Sequence, residues 1–192
     1  MNGEICPWAL RTPLERVYHD EQWGRPLHDD ARLFELLVLE FMQAGLSWST
    51  ILLKREHMRA AFDGFDAEAI SLYGDEKINA LLEDAGIIRN RLKLKALVGN
   101  ARAFIRVQLD FGSFDAYLWG FLEDGPIDGK REKIQDVPAK TPLAERIAKD
   151  MKKRGFSFMG PTIVYAFMQA AGLVNDHLIS CPVYTQAKEE QG

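Results

Sequence analysis

Four residues of this chain have the chemistry of a tetrahedral metal site, and they stand near its two ends. His177 and Cys181 are separated by three residues, a spacing that can present an imidazole and a thiolate to one ion, and Cys6 and His19 lie at the other end. Two ring nitrogens and two thiolates make a set that zinc favours, and four protein ligands would leave no position for water, so the site would be structural. The alternative is one surface histidine and two buried thiols. No other cysteine is present. In a reducing compartment a structural disulfide is not expected, which leaves these thiols inert or ligating.

Glu40 carries a second kind of chemistry. It sits in the run LeuPheGluLeuLeuValLeuGluPheMetGlnAlaGlyLeuSerTrp at 33–48, where an unpaired charge would be costly. On a helix its neighbours three and four residues away include Leu36, Leu37 and Ala44. Glu35 lies roughly 140° around the axis and is expected to take the solvent side. Trp48 follows closely, and the N-terminal segment adds Trp8, Tyr18 and Trp23. A flat cavity walled by aromatic rings around one carboxylate suits a planar base with hydrogen-bond donors or positive charge. The competing reading is a buried glutamate satisfied by backbone or arginine, with the aromatics as core.

A third pattern spans 81–95, LeuLeuGluAspAlaGlyIleIleArgAsnArgLeuLysLeuLys. Two amphipathic helices joined by a short turn through Gly86, Ile87 and Ile88 can aim backbone amides at a phosphate. Arg89, Arg91, Lys93 and Lys95 add positive charge. This is a helix-hairpin-helix arrangement over about 75–108, although an ordinary helical hairpin with a solvated basic face fits as well. LysLysArg at 152–154 reads as the charged end of a helix.

The elements that must position these groups are helical nearly throughout. Helices are predicted from Asp29 or Asp30 to Gln43, from Ser47 or Ser49 to Asp63, and from Asp75 to Gly86. Others follow from Asn90 past Ile105, at 113–123, at 142–153 and at 160–172. The stretch 125–142 is expected to be a loop, and the tail after Tyr184 to fray. Strand-type alternation is nearly absent, so the chain is expected to be all-α, one domain over 1–192. Hydrophobic content of 47% and charged content of 27% suit a soluble globular protein, and the net charge of −4 excludes a polycation drawn to nucleic acid by its global field. No signal-like or membrane-spanning run is visible, so a cytoplasmic monomer is expected.

Taken in order, several stretches resemble the 3-methyladenine DNA glycosylase I family over nearly the whole chain. They are TyrHisAspGluGlnTrpGly (18–24), GlnAlaGlyLeuSerTrp (43–48), LeuLeuLysArgGlu (52–56) and AspAlaGlyIleIleArg (84–89), followed by GlyAsnAlaArgAla (99–103), LysLysArgGlyPhe (152–156) and GlyLeuValAsnAspHis (172–177). The resemblance implies a divergent helix-hairpin-helix glycosylase that excises methylated adenine from alkylated double-stranded DNA. It implies a structural Zn2+ on Cys6, His19, His177 and Cys181, joining segments 1–25 and 172–186. It implies base recognition by Glu40, pocket rings from Trp8, Tyr18 and Trp48, and a DNA-gap residue at Leu46 beside Gly45. The hairpin residues Gly86 to Arg89, with Arg91 and Lys93, are the expected DNA contacts. Two departures stand out: Glu15 and Phe41 occupy positions where the family's best-known members carry tyrosine and glycine. A lysine nucleophile paired with a catalytic aspartate is not found, so base removal without strand cleavage is expected. A zinc-bound lesion reader without chemistry, and a zinc hydrolase of small molecules, are the rival classes.

Overall fold

Caps written into the sequence start most of the helices in the computed structural model, which describes residues 4–190. Thr12, Asp29, Ser47, Asp66, Asn90, Ser113 and Thr141 each accept a backbone N–H in the first turn of the helix that follows. The helices are α1 (Pro13–Glu21), α2 (Asp30–Gln43), α3 (Trp48–Ala61), α4 (Ala67–Ser71), α5 (Asp75–Glu83), α6 (Arg91–Phe111) and α7 (Phe114–Trp119). After them come α8 (Pro142–Lys153), α9 (Pro161–Ala170) and α10 (Pro182–Glu190). Among the described residues no helix is long and apolar enough to cross a membrane.

Helix α2 is the axis of the core. Every residue from Leu33 to Met42 is buried, and α3, α6, α7 and α9 pack around it. A helix apolar all round is one enclosed all round. That enclosure overturns the expected solvent position of Glu35. Its carboxylate is buried and takes Arg55 Nε at 2.7 Å and the Arg59 Nη atoms at 2.6 and 2.8 Å. Glu35 is thus the arginine-paired carboxylate of this helix.

Two other expectations fail for one reason, a partner distant in sequence. Within the predicted loop 125–142, β1 (Ile127–Asp128) pairs in parallel with β2 (Val174–Asn175), Ile127 opposite Val174 and Asp128 opposite Asn175. The tail is helical as far as Glu190, 191–192 lying outside the described residues: α10 is held where Tyr184 Oη donates to Asp128 Oδ1 at 2.8 Å and Lys188 Nζ donates to Asp128 Oδ2 at 2.9 Å. The short α1 and α4 also lie outside the predicted elements. The loop is therefore strapped to the C-terminal segment that carries His177 and Cys181.

Candidate functional site

Four elements supply most of the aromatic and acidic lining of a cavity of about 270 Å³. The 3-10 turn Pro7–Leu10 supplies Trp8, α1 supplies Glu15 and Tyr18, α2 supplies Glu40 and Gln43, and the first turn of α3 supplies Trp48. The Trp8 and Tyr18 rings are 6.5 Å apart between centroids, and Tyr18 and Trp48 are 5.1 Å apart. The volume falls just below the roughly 300–1,000 Å³ of pockets for drug-sized ligands, which suits a single ring system.

Three polar groups of this cavity lack protein partners. Glu40 is 4% exposed, and its carboxylate makes no hydrogen bond or ion pair among the described residues. Burial pushes its pKa up to about 8. Tyr18 Oη and Trp48 Nε1 are buried without a hydrogen-bond partner. Burial, and then the charge of Glu40, push the Tyr18 phenol upward, so it stays an O–H donor. Buried polar groups are normally satisfied, so three orphans around one void point to a ligand that satisfies them. The competing sequence reading, an arginine-held glutamate, describes Glu35 instead.

Gln169 and Asp176 also line the cavity, and sequence reasoning missed both. Asp176 is saturated: Arg131 Nε donates to Oδ1 at 2.8 Å, while Gln169 Nε2 at 2.8 Å and Tyr165 Oη donate to Oδ2. Its place beside His177 was the available signal.

Cys6, His19, His177 and Cys181 are brought together as expected. All four are buried, and their donor atoms lie within 4.8 Å of one another. Cys6 Sγ is 3.8 Å from His177 Nδ1, His177 Nδ1 is 3.1 Å from His19 Nε2, and Cys181 Sγ is 3.6 Å from His19 Nε2. Zinc with bonds of about 2.0–2.1 Å to nitrogen and about 2.3 Å to sulfur would hold tetrahedral donors roughly 3.3–3.8 Å apart, close to these spacings. The outer ring nitrogens are engaged, His19 Nδ1 with Asp20 Oδ1 at 2.7 Å and His177 Nε2 with the Trp23 carbonyl at 3.1 Å. Such partners orient metal-binding imidazoles. Gly24 is needed here, because its φ is +78° and a Cβ would stand 2.8 Å from His177 Nε2. The residues fit a tetrahedral metal. Trp8 packs edge-on against His19 at 5.3 Å, so the cluster also props a cavity wall.

The expected DNA-facing residues divide into two groups. Leu46 is 41% exposed at the turn after α2, where Gly45 has φ +78°. In the hairpin between α5 and α6, Arg89 and Arg91 are exposed, Ile88 is half-buried, and Gly86 N–H donates to Asp84 Oδ1 at 2.7 Å. Ile87 is buried and anchors the turn. Lys93 departs from its expected role. It is 5% exposed, and its Nζ donates to Met42 O at 2.8 Å and Ala44 O at 2.6 Å. The carbonyls left open at the end of α2 draw the ammonium inward, so Lys93 braces the Gly45–Leu46 turn rather than meeting a phosphate. Lys93→Met, which strands both carbonyls, is expected to cost about 2 kcal/mol in urea denaturation. No loss would mean the brace is dispensable.

Fold and cavity together define a helical protein with a small cavity between aromatic side chains, beside a buried acid. The family model described as Methyladenine glycosylase matches residues 8–184. The chain is 43% identical over 181 residues to DNA-3-methyladenine glycosylase 1 of Escherichia coli (strain K12), covering 94% of this chain and 97% of that protein. A crystal structure of 3-methyladenine DNA glycosylase I superposes with a TM-score of 0.90 at 44% identity, over 93% of this chain and 98% of the other. A Staphylococcus aureus structure of that enzyme, described as the structural basis of 3-methyladenine recognition, gives a TM-score of 0.90 at 37% identity over 95% and 97%. The chain belongs to the methyladenine glycosylase family. It is accordingly an enzyme, a hydrolase of N-glycosyl bonds.

Proposed function

We propose that the protein flips and excises N3-methyladenine from alkylated double-stranded DNA, leaving an abasic site. The observation that carries this reading is Glu40, buried and unpartnered among Tyr18, Trp48 and Trp8 in a ring-sized cavity. Methylation at N3 makes adenine cationic and a good leaving group. The flipped base stacks against the aromatic walls and Glu40 accepts its hydrogen bonds as a carboxylate, so selectivity comes from charge and cation–π attraction. Water attacks the anomeric carbon, the bond to the purine breaks with its electron pair moving to the base, and the proton of the water passes to solvent.

Leu46 fills the gap left by the flipped nucleotide. Gly45, Gly86, Ile88, Arg89 and Arg91 hold the DNA backbone in helix-hairpin-helix fashion. Zn2+ on Cys6, His19, His177 and Cys181 supplies structure, with no position open for chemistry. No lysine nucleophile enters the scheme, so base removal occurs without strand cleavage. The reading extends to a monomer working in the cytoplasm. Incubation with methylated duplex DNA tests it: free 3-methyladenine is expected, measured beside 3-methylguanine, with no nicked strand. An absence of released base, with DNA binding intact, would favour a lesion reader without chemistry.

A further inference from the structure

We propose that Glu15 is a second recognition carboxylate of the cavity, selecting bases that carry positive charge and offer hydrogen-bond donors along a second edge. The proposal rests on the reading of the cavity given above. Glu15 is 2% exposed and lines the same void as Glu40. Its backbone N–H donates to Thr12 Oγ1 at 3.1 Å, and Thr12 Oγ1 donates back to Glu15 Oε2 at 3.1 Å. That reciprocal cap engages one carboxylate oxygen with a neutral hydroxyl. It supplies no counter-charge, and Glu15 has no ion pair among the described residues.

The other buried acids nearby are treated differently. Glu35 takes two arginines, and Asp176 takes Arg131, Gln169 and Tyr165. The fold neutralises the carboxylates it keeps for structure. Glu15 and Glu40 are the two cavity acids it leaves uncompensated, so compensation falls to the occupant. One turn of α1 separates Glu15 from Tyr18, which puts an acceptor and an O–H donor on the same wall. A cationic methylated adenine offers its exocyclic amine alone as a donor. A cationic methylated guanine offers a ring N–H and an exocyclic amine together, a pair that one carboxylate can accept side by side. The second carboxylate therefore favours the guanine cation more than the adenine cation.

Tryptophan fluorescence titration with 3,9-dimethyladeninium, 3,9-dimethylguaninium and neutral 9-methyladenine separates the possibilities. Glu15→Gln keeps the shape and the Thr12 contact, and is expected to weaken the guaninium about tenfold or more. The adeninium should weaken less and the neutral base not at all. Glu15→Tyr removes the charge with a different side chain and should lose the same preference, which covers a failure of the glutamine variant to fold. Cation binding unchanged in whichever variant folds would overturn the proposal. Glu40→Gln is the reference. If it weakens both cations while Glu15→Gln weakens neither, this inference alone fails; if Glu40→Gln weakens neither, the reading of the cavity fails.

Discussion

Glu40→Gln is expected to lose roughly 10²-fold in binding and excision of the methylated base, the scale of one charge-assisted contact in a buried site. The same change should alter stability in a way that no ordinary surface carboxylate can. Burial raises the Glu40 pKa from its ordinary 4.5 to about 8. Between those two pH values the folded chain holds a proton that the unfolded chain has released. Stability therefore falls as pH rises through this window and levels off above it. Between pH 6 and pH 8 the loss is on the order of 2 kcal/mol. Glu40→Gln has no proton to lose, so its urea midpoint should stay flat and exceed that of the wild type at pH 8.5. Binding of a fixed cation should show the complement, tightening toward pH 8 in the wild type as Glu40 ionises, and staying level in the variant. Identical pH profiles for the two proteins would remove Glu40 from the centre of the site.

The second large effect concerns the metal. Chelation, or Cys181→Ala, is expected to lower stability by about 4 kcal/mol, a fall in Tm on the order of 10 °C for a chain of this size. The reason is topological. A metal on the four clustered donors would staple the segment carrying Trp8 and Tyr18 to the segment that follows β2. Loss of the staple leaves four buried polar groups without their partner and frees one wall of the cavity. Excision should decline together with stability, because Trp8 leans on His19. Stoichiometric zinc in the purified protein and a chelator-sensitive Tm are the measurements. A protein free of zinc, or a Tm indifferent to chelation, would reduce the cluster to a hydrogen-bonded knot.

Much of this was legible from short-range chemistry. The caps at Asp29, Ser47 and Asn90 announce their helices because a side-chain acceptor and the amides it satisfies lie within three residues. The four side chains of the Cys/His cluster could be nominated from residue type, and Glu40 from its apolar setting. What escaped was long-range. Glu35 and Glu40 sit five residues apart on one helix, and periodicity assigned Glu35 a solvent side that neither of them has. Their fates were decided by α3, which lays Arg55 and Arg59 across Glu35 and brings only Trp48 to the cavity of Glu40. Lys93 was read as a DNA contact from its charge, because the open carbonyls of Met42 and Ala44 are about fifty residues earlier in the chain. The parallel pairing of β1 with β2 and the docking of α10 on Asp128 were hidden in the same way.

The amino-acid order by itself determined most of the longer helices, where they start, and the kinds of side chain available to a site. The tertiary structure alone decided which buried charges are neutralised from within and which are left without a counter-charge. Helix propensity and capping act over a few residues, whereas the cost of a buried charge depends on whatever group packing brings within a few ångströms of it.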